Sequence, residues 1–397
     1  MLPWIIFLAG IGYLLHWTTD LRRQQVKLPR LRDSLKSLGC PISLEELNSQ
    51  MHVPLEENAC QEYAPVFDEI NRIEREDPEA FRELSRSLST RIDRLDNYLD
   101  RIQSLVNLHE VALKKSFLRV DVTKERIHTH YQIGPPLRFL AKILVRRIEI
   151  AAKLGDLDAV RSHMDDLRVF VQHAQFDGTQ LAWLIHLSIG SMYLGAINKV
   201  IHQMPKRADV LNWAQEALTS LPGPPPLLRA VMSDVAFGIA FWEEMEGKSL
   251  RKIGYSDFAA SIPYFQTSKA YDAYLSRQFQ ESVRAIKNWP ANESDWRRAS
   301  DLNKISWFSG KWWFAPSFAL PNLLPKNWGI GRALASIAAR RELARLGIDL
   351  HRYFNETGRF PRTLREASLT PAANLPFPVT YWPTDKDFVL RCGMISY

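Results

Sequence analysis

The first seventeen residues, MLPWIIFLAGIGYLLHW, contain no acidic, lysine or arginine side chain, and the basic run Arg22, Arg23, Lys27, Arg30 and Arg32 follows at once. Such a stretch has few stable fates in water. As a helix it covers about 25 Å against a hydrocarbon core of about 30 Å. Trp4 near one end, with Tyr13 and Trp17 near the other, suits the headgroup level that amphipathic rings favour. No Lys or Arg precedes the stretch and no small-residue cleavage site follows it, so an uncleaved anchor is expected over residues 1–20 rather than a removable signal. The expected partner of residues 1–17 is a lipid bilayer, with Arg22, Arg23 and Lys27 as the anchor's flank. By the positive-inside tendency that flank holds the bulk of the chain in the cytoplasm, and it is also suited to rest on anionic headgroups.

The remainder has the composition of a folded protein, with 46% hydrophobic and 24% charged residues among 397. The net charge of +7 is gathered largely after the apolar stretch and at Arg332, Arg340, Arg341 and Arg345. It forms no long basic stripe, which speaks against nucleic-acid binding. Cys40, Cys60 and Cys392 are odd in number and match no zinc or redox spacing.

The pattern predicts a mainly α protein: an N-terminal transmembrane helix, a helical bundle or hairpin body, and a small C-terminal α+β tail with one β-hairpin. Residues 21–130 read as an N-terminal helical region. In it Ser43 and Glu46 make a capping box, and Asp77-Pro78 starts a long helix over 78–118. Leu84, Leu88, Ile92, Leu95, Leu99, Ile102, Val106 and Leu113 give that helix a heptad seam, suited to packing in a hairpin or to self-association. Residues 131–288 form the helical body. One helix runs from Leu137 to Gly155, and Asp156 caps the next, a join that resembles the turn of a tetratricopeptide-type hairpin. The segment from Gln180 to Met204 is apolar on nearly every face. It is long enough to be a second span, but His186, Asn198, Lys199 and two glycines favour a core helix.

Residues 289–329 are rich in tryptophan and proline, holding half of the chain's twelve tryptophans, and Pro316, Pro321 and Pro325 exclude one regular helix. Trp307, Trp312, Trp313, Phe314 and Phe318 are the candidates here for contact with a membrane or partner. Catalytic patterns are sparse. His128 and His130 have no third ligand at metal spacing, His163 and Asp166 suit a surface pair one turn apart, and Asp349 and His351 diverge on a helix. The helix start after Gly331, with Arg332, offers an anion position of the ordinary kind. No catalytic, cofactor or metal residues are assigned and no cofactor is expected.

In residues 330–397 a helix with Leu334, Ile337, Leu343, Leu346 and Leu350 on one face leads into LHRYFNETGRFP. Leu364, Glu366, Pro376-Phe377, Thr380-Tyr381 and Phe388-Val389-Leu390 follow, with Val379–Tyr381 and Phe388–Leu390 placed to pair as a hairpin. The order resembles the C-terminal region of type II secretion pseudopilins of the GspG kind. It is also similar to the tail of poorly characterised membrane-anchored bacterial proteins frequent in planctomycetes. The stretch Gly39-x-Pro41-Ile42-Ser43-x-x-Glu46-Leu47 is similar to the N-terminal region of that second group. Filament assembly and calcium binding are not carried over: no prepilin-peptidase site precedes the apolar helix, Leu375 stands where an Asp precedes Pro-Phe, and no acidic loop follows the strands. The resemblance implies a single-pass protein of the bacterial inner membrane and tips the expected side of the bulk toward extracytoplasmic. The functional expectation is a scaffold or interaction protein of the cell envelope. The alternatives are an enzyme, of which a hydrolase is one form, with a site assembled only in three dimensions, and a secretion or transport accessory protein.

Overall fold

A computed structural model of the chain describes residues 29–76, 112–120, 133–245 and 330–396, isolated positions within them excepted, together with Lys27, Pro78 and Glu79. The proposed anchor of residues 1–17, the body of the heptad seam and the Trp/Pro-rich segment lie outside the described residues. Among the described residues the chain is mainly helical, with a small antiparallel sheet at its C-terminal end.

Local signals start and stop the elements. Helix α1 (Leu44–Gln50) is capped by Ser43, whose side chain accepts the Glu46 amide at 3.2 Å, while Glu46 reaches back to the amide of Ile42 at 2.9 Å. Helix α2 spans Cys60–Glu76. Its start is stitched to a distant segment: Ala59 N–H donates to Phe117 O, Phe117 N–H donates to Glu57 O, and the Asn58 amide brackets the backbone of Arg119 in both directions. Residues 114–118, which the helix expected over 78–118 would include, are therefore not helical. Ala112 and Leu113 are helical, the chain turns at Lys114, and Phe117 pairs with Asn58 as an isolated bridge.

Helices α3 (Gly134–Leu154) and α4 (Leu157–His173) form the expected hairpin. Pro135 and Pro136 open α3, Gly155 closes it at φ +74°, and the Asp156 carboxylate takes the Ala159 amide to open α4. Helix α5 (Gln180–Gln203) is the hub, in contact with α3, α4, α6 (Ala208–Ser220), α7 (Leu227–Met245) and α8 (Ile330–Thr357). It is the one helix among the described residues long and apolar enough to cross a membrane, and most of its apolar window is buried against these neighbours. Trp183 donates to Pro225 O and Tyr193 donates to Ala217 O, tying the Pro222–Pro226 break and the end of α6 to the hub.

Helix α8 faces two ways. Ala344 and Ile348 enter the main core of the body, whereas Leu343, Leu346 and Leu350 join Phe360, Leu375, Phe388, Leu390 and Cys392 in a second core under the sheet. The sheet consists of β1 (Val379–Pro383), β2 (Phe388–Cys392) and β3 (Ile395–Ser396), in that order. The expected hairpin forms, but its ladder is longer and set two residues further along than the pairing of Val379–Tyr381 with Phe388–Leu390: Val379 lies opposite Cys392, Tyr381 opposite Leu390 and Pro383 opposite Phe388. Two further details differ from the sequence pattern. A third strand of two residues pairs with β2, too short to leave a periodic signal. Pro361, a residue suited to the first turn of a helix, is instead followed by turns over 362–368, where Glu366 accepts the Arg362 amide at 2.6 Å and Ser368 turns left-handed at φ +55°.

Candidate interaction surface

The C-terminal sheet has a closed side and an open side. Strand β2 alternates strictly: Phe388, Leu390 and Cys392 are buried against α8, and Val389 and Arg391 point outward. Cross-strand pairing sets Trp382 directly opposite Val389 and Thr380 opposite Arg391 on that outward side. The Arg391 guanidinium lies 5.5 Å from the centroid of the Trp382 ring, a cation–π arrangement.

Phe377 extends the row. Its ring lies over Gly393, where an added Cβ would come within 2.6 Å of it, so the position needs glycine both for this contact and for its φ of +63°. The Cys392 thiol donates to Phe377 O at 3.1 Å and fixes the approach to β1. Phe377, Arg391, Trp382 and Val389 thus form one stripe along positions 393, 391 and 389 of the outer face, with Phe377 55%, Trp382 49% and Val389 37% exposed. Arg391 is the one charged side chain in the stripe.

The platform beneath the stripe is strapped to α8. Arg345 forks onto Glu342, reaches Asp349 at 3.1 Å and donates to Thr370 O, while Glu342 also accepts the Ala372 amide. Glu366 accepts from the Arg362 amide, the Arg359 guanidinium and the Tyr353 hydroxyl, contacts that hold its carboxyl below the usual range. The Tyr381 hydroxyl donates to Pro361 O at 2.8 Å, and burial, with Glu366 and Tyr353 nearby, pushes its pKa up to about 12. Thr384 and Asp387 close the hairpin turn through backbone and hydroxyl bonds.

The buried polar groups elsewhere bind elements together. His173 takes the Tyr63 hydroxyl on Nδ1 and faces Lys115 O with Nε2, both at 3.0 Å, an arrangement the neutral Nε2–H tautomer satisfies in full. Burial pushes His173 down to about 4 and raises Tyr63. His186 bonds Val171 O across α4 and α5. Between α3 and α5, buried Glu149 is held by Arg146 at 2.7 Å and by Lys199. His351 sits at the seam of body and tail, edge-on to Phe360, Phe388 and His202 of α5. Burial, reinforced by His202 and opposed by Asp387, pushes it down to about 4.

The positions singled out in the sequence fare unevenly. Trp307, Trp312, Trp313, Phe314 and Phe318 lie outside the described residues, as do His128, His130, Arg22 and Arg23, while Lys27 is described and exposed. His163 Nδ1 and Asp166 are 4.0 Å apart on one face of α4, as their spacing suggests. Asp349 and His351 do diverge: the former pairs with Arg345 and Arg352, the latter packs under the sheet. Among the described residues no cluster of three or more His, Cys, Asp or Glu side chains is placed to hold a metal ion. The stripe on the outer sheet face was not anticipated. Its signal is present in the alternation of V-T-Y-W-P and F-V-L-R-C, but choosing which side lies against α8 requires the fold.

No protein-family model, no curated protein and no solved structure matches this chain.

Proposed function

We propose that this chain is a membrane-anchored helical scaffold or interaction protein of the bacterial cell envelope, in which the helical body carries the C-terminal α+β tail as its contact module. The observation that supports this reading is the aromatic and cationic stripe of Phe377, Trp382, Val389 and Arg391, open on one side of a sheet whose other side packs on α8. A side chain as large as tryptophan is costly to leave in water, and indole and arginine are enriched where surfaces meet partners. The straps from Arg345, Glu342 and Glu366 support the same reading, since they tie the segment leading into β1 to α8. The anchor rests on the uncharged residues 1–17 and their basic flank.

The test is protease accessibility of a C-terminal tag in spheroplasts and in inverted vesicles, with carbonate extraction alongside. The proposal expects a carbonate-resistant protein whose tag is digested from outside the spheroplast. Release by carbonate would overturn the anchor. Digestion only in inverted vesicles would overturn the extracytoplasmic side while leaving the anchor in place.

A further inference from the structure

We propose that the stripe formed by Phe377, Trp382, Val389 and Arg391 docks on an anionic lipid surface, laying the C-terminal tail against the bilayer that holds the N-terminal anchor. The inference rests on the membrane-anchored reading above and names the partner of that module.

Three observations favour lipid over a protein partner. The first is size. With aromatic side chains of 150–250 Å² each and the exposed fractions of Phe377, Trp382 and Val389, the stripe offers roughly 200–300 Å² of apolar surface. A stable protein interface needs about 800 Å² from each side, of which a little over half, about 450 Å², is apolar. A chain already held at a bilayer needs far less, because its anchor converts docking of the tail into an intramolecular step. The second is chemistry. Indole and phenyl rings flanking a guanidinium is the combination that settles at headgroup depth, rings toward the acyl boundary and cation toward phosphate. Arg391 already lies over the Trp382 ring, so the two present together.

The third is charge. Arg391 is the one charged group among the outward positions Thr380, Trp382, Val389, Arg391 and Gly393. The Asp387 carboxylate is turned to its own hairpin, where it accepts the Phe388 amide at 2.8 Å. Glu366 is engaged by Arg359, Tyr353 and the Arg362 amide. Among the described residues of the two strands the face therefore carries positive charge and no acidic side chain, complementary to anionic headgroups.

The experiment is hydroxyl-radical footprinting of the full chain read by mass spectrometry. The protein is reconstituted in phosphatidylcholine vesicles and in vesicles of phosphatidylcholine with phosphatidylglycerol. Leu154, 78% exposed at the end of α3, serves as the internal reference. Oxidation of Phe377 and Trp382 should fall about fivefold on adding the anionic lipid, with Leu154 unchanged. Arg391→Glu should abolish that difference, and an unchanged melting temperature for this variant shows that the loss is not unfolding. Equal oxidation in the two lipids overturns the proposal. So does protection of the same size in neutral detergent accompanied by a dimer mass, which assigns the stripe to self-association. Flotation of the same samples separates the two readings: a chain that floats in both lipids without protection of the stripe refutes docking alone, and one that floats in neither refutes the anchor.

Discussion

Mild acid should weaken this fold between pH 7 and 5, before most carboxylates titrate, because burial holds His173, His186 and His351 neutral, and the first and last of these are lowered furthest. His173 is fully buried with its ring satisfied by Tyr63 and Lys115 O, and His351 is enclosed by Phe360, Phe388 and His202. Burial lowers each from 6.5 to about 4. A group lowered on folding prefers its neutral form in the native state. The stability it supplies is complete above the unfolded pKa and is lost as pH falls from 6.5 toward 4. At pH 5 the unfolded imidazole is almost fully protonated while the folded one is not, a difference of about 2 kcal/mol per histidine. Together the pair costs about 4 kcal/mol there, a large share of a typical net stability of 5–15 kcal/mol. Urea titrations of the full chain in non-ionic detergent at pH 7.5, 6 and 5 measure it, with a His173→Gln/His351→Leu double variant as reference. The wild-type chain should lose about 4 kcal/mol more than the double variant between pH 7.5 and 5. Equal losses in the two proteins would refute the reasoning.

Other perturbations report on separate parts of the architecture. Glu149→Ala leaves the Arg146 guanidinium buried without its carboxylate and should destabilise the body by about 3–5 kcal/mol in urea, with Glu149→Gln less damaging. Leu390→Ala removes a fully buried side chain from the core under the sheet and should cost about 2–5 kcal/mol. Hydrogen exchange of β1 and β2 should accelerate in that variant well before exchange in α3 and α4 does. Gly155→Ala places a Cβ in a left-handed position that is open in space, so its penalty is conformational alone, about 1 kcal/mol in thermal melts.

Features written in adjacent residues were legible before the structure. Ser43 with Glu46, Gly155 with Asp156, and the alternating strands around Tyr381 and Leu390 each follow from a bond or period spanning a few positions, and each takes the form its pattern implies. Features that depend on distant partners were not legible. Nothing near Asn58 signals that its amide will bracket Arg119, and Tyr63 and His173 meet across more than a hundred residues. Local pattern also misled where a side chain engaged the backbone: Pro361 suits the first turn of a helix, and Glu366 instead holds the Arg362 amide within a run of turns. Composition left two roles open for the Gln180–Gln203 helix, and only its neighbours α3, α4, α6, α7 and α8 describe it as the hub of the body. The stripe on the tail belongs to this second group, since the face that Trp382 and Arg391 share is set by which side of β2 packs on α8.

The most direct measurement of the central claim is site-specific photocrosslinking in living cells, with a benzophenone amino acid placed in turn at Trp382 on the outer sheet face and at Leu154 on the helical body. Both positions are exposed, so access to solvent does not distinguish them. If the tail's outer face is the contact surface of an envelope-anchored protein, residue 382 gives strong adducts with lipid or a protein partner and residue 154 gives few. Equal yields at the two positions, or adducts at 154 alone, would contradict the account.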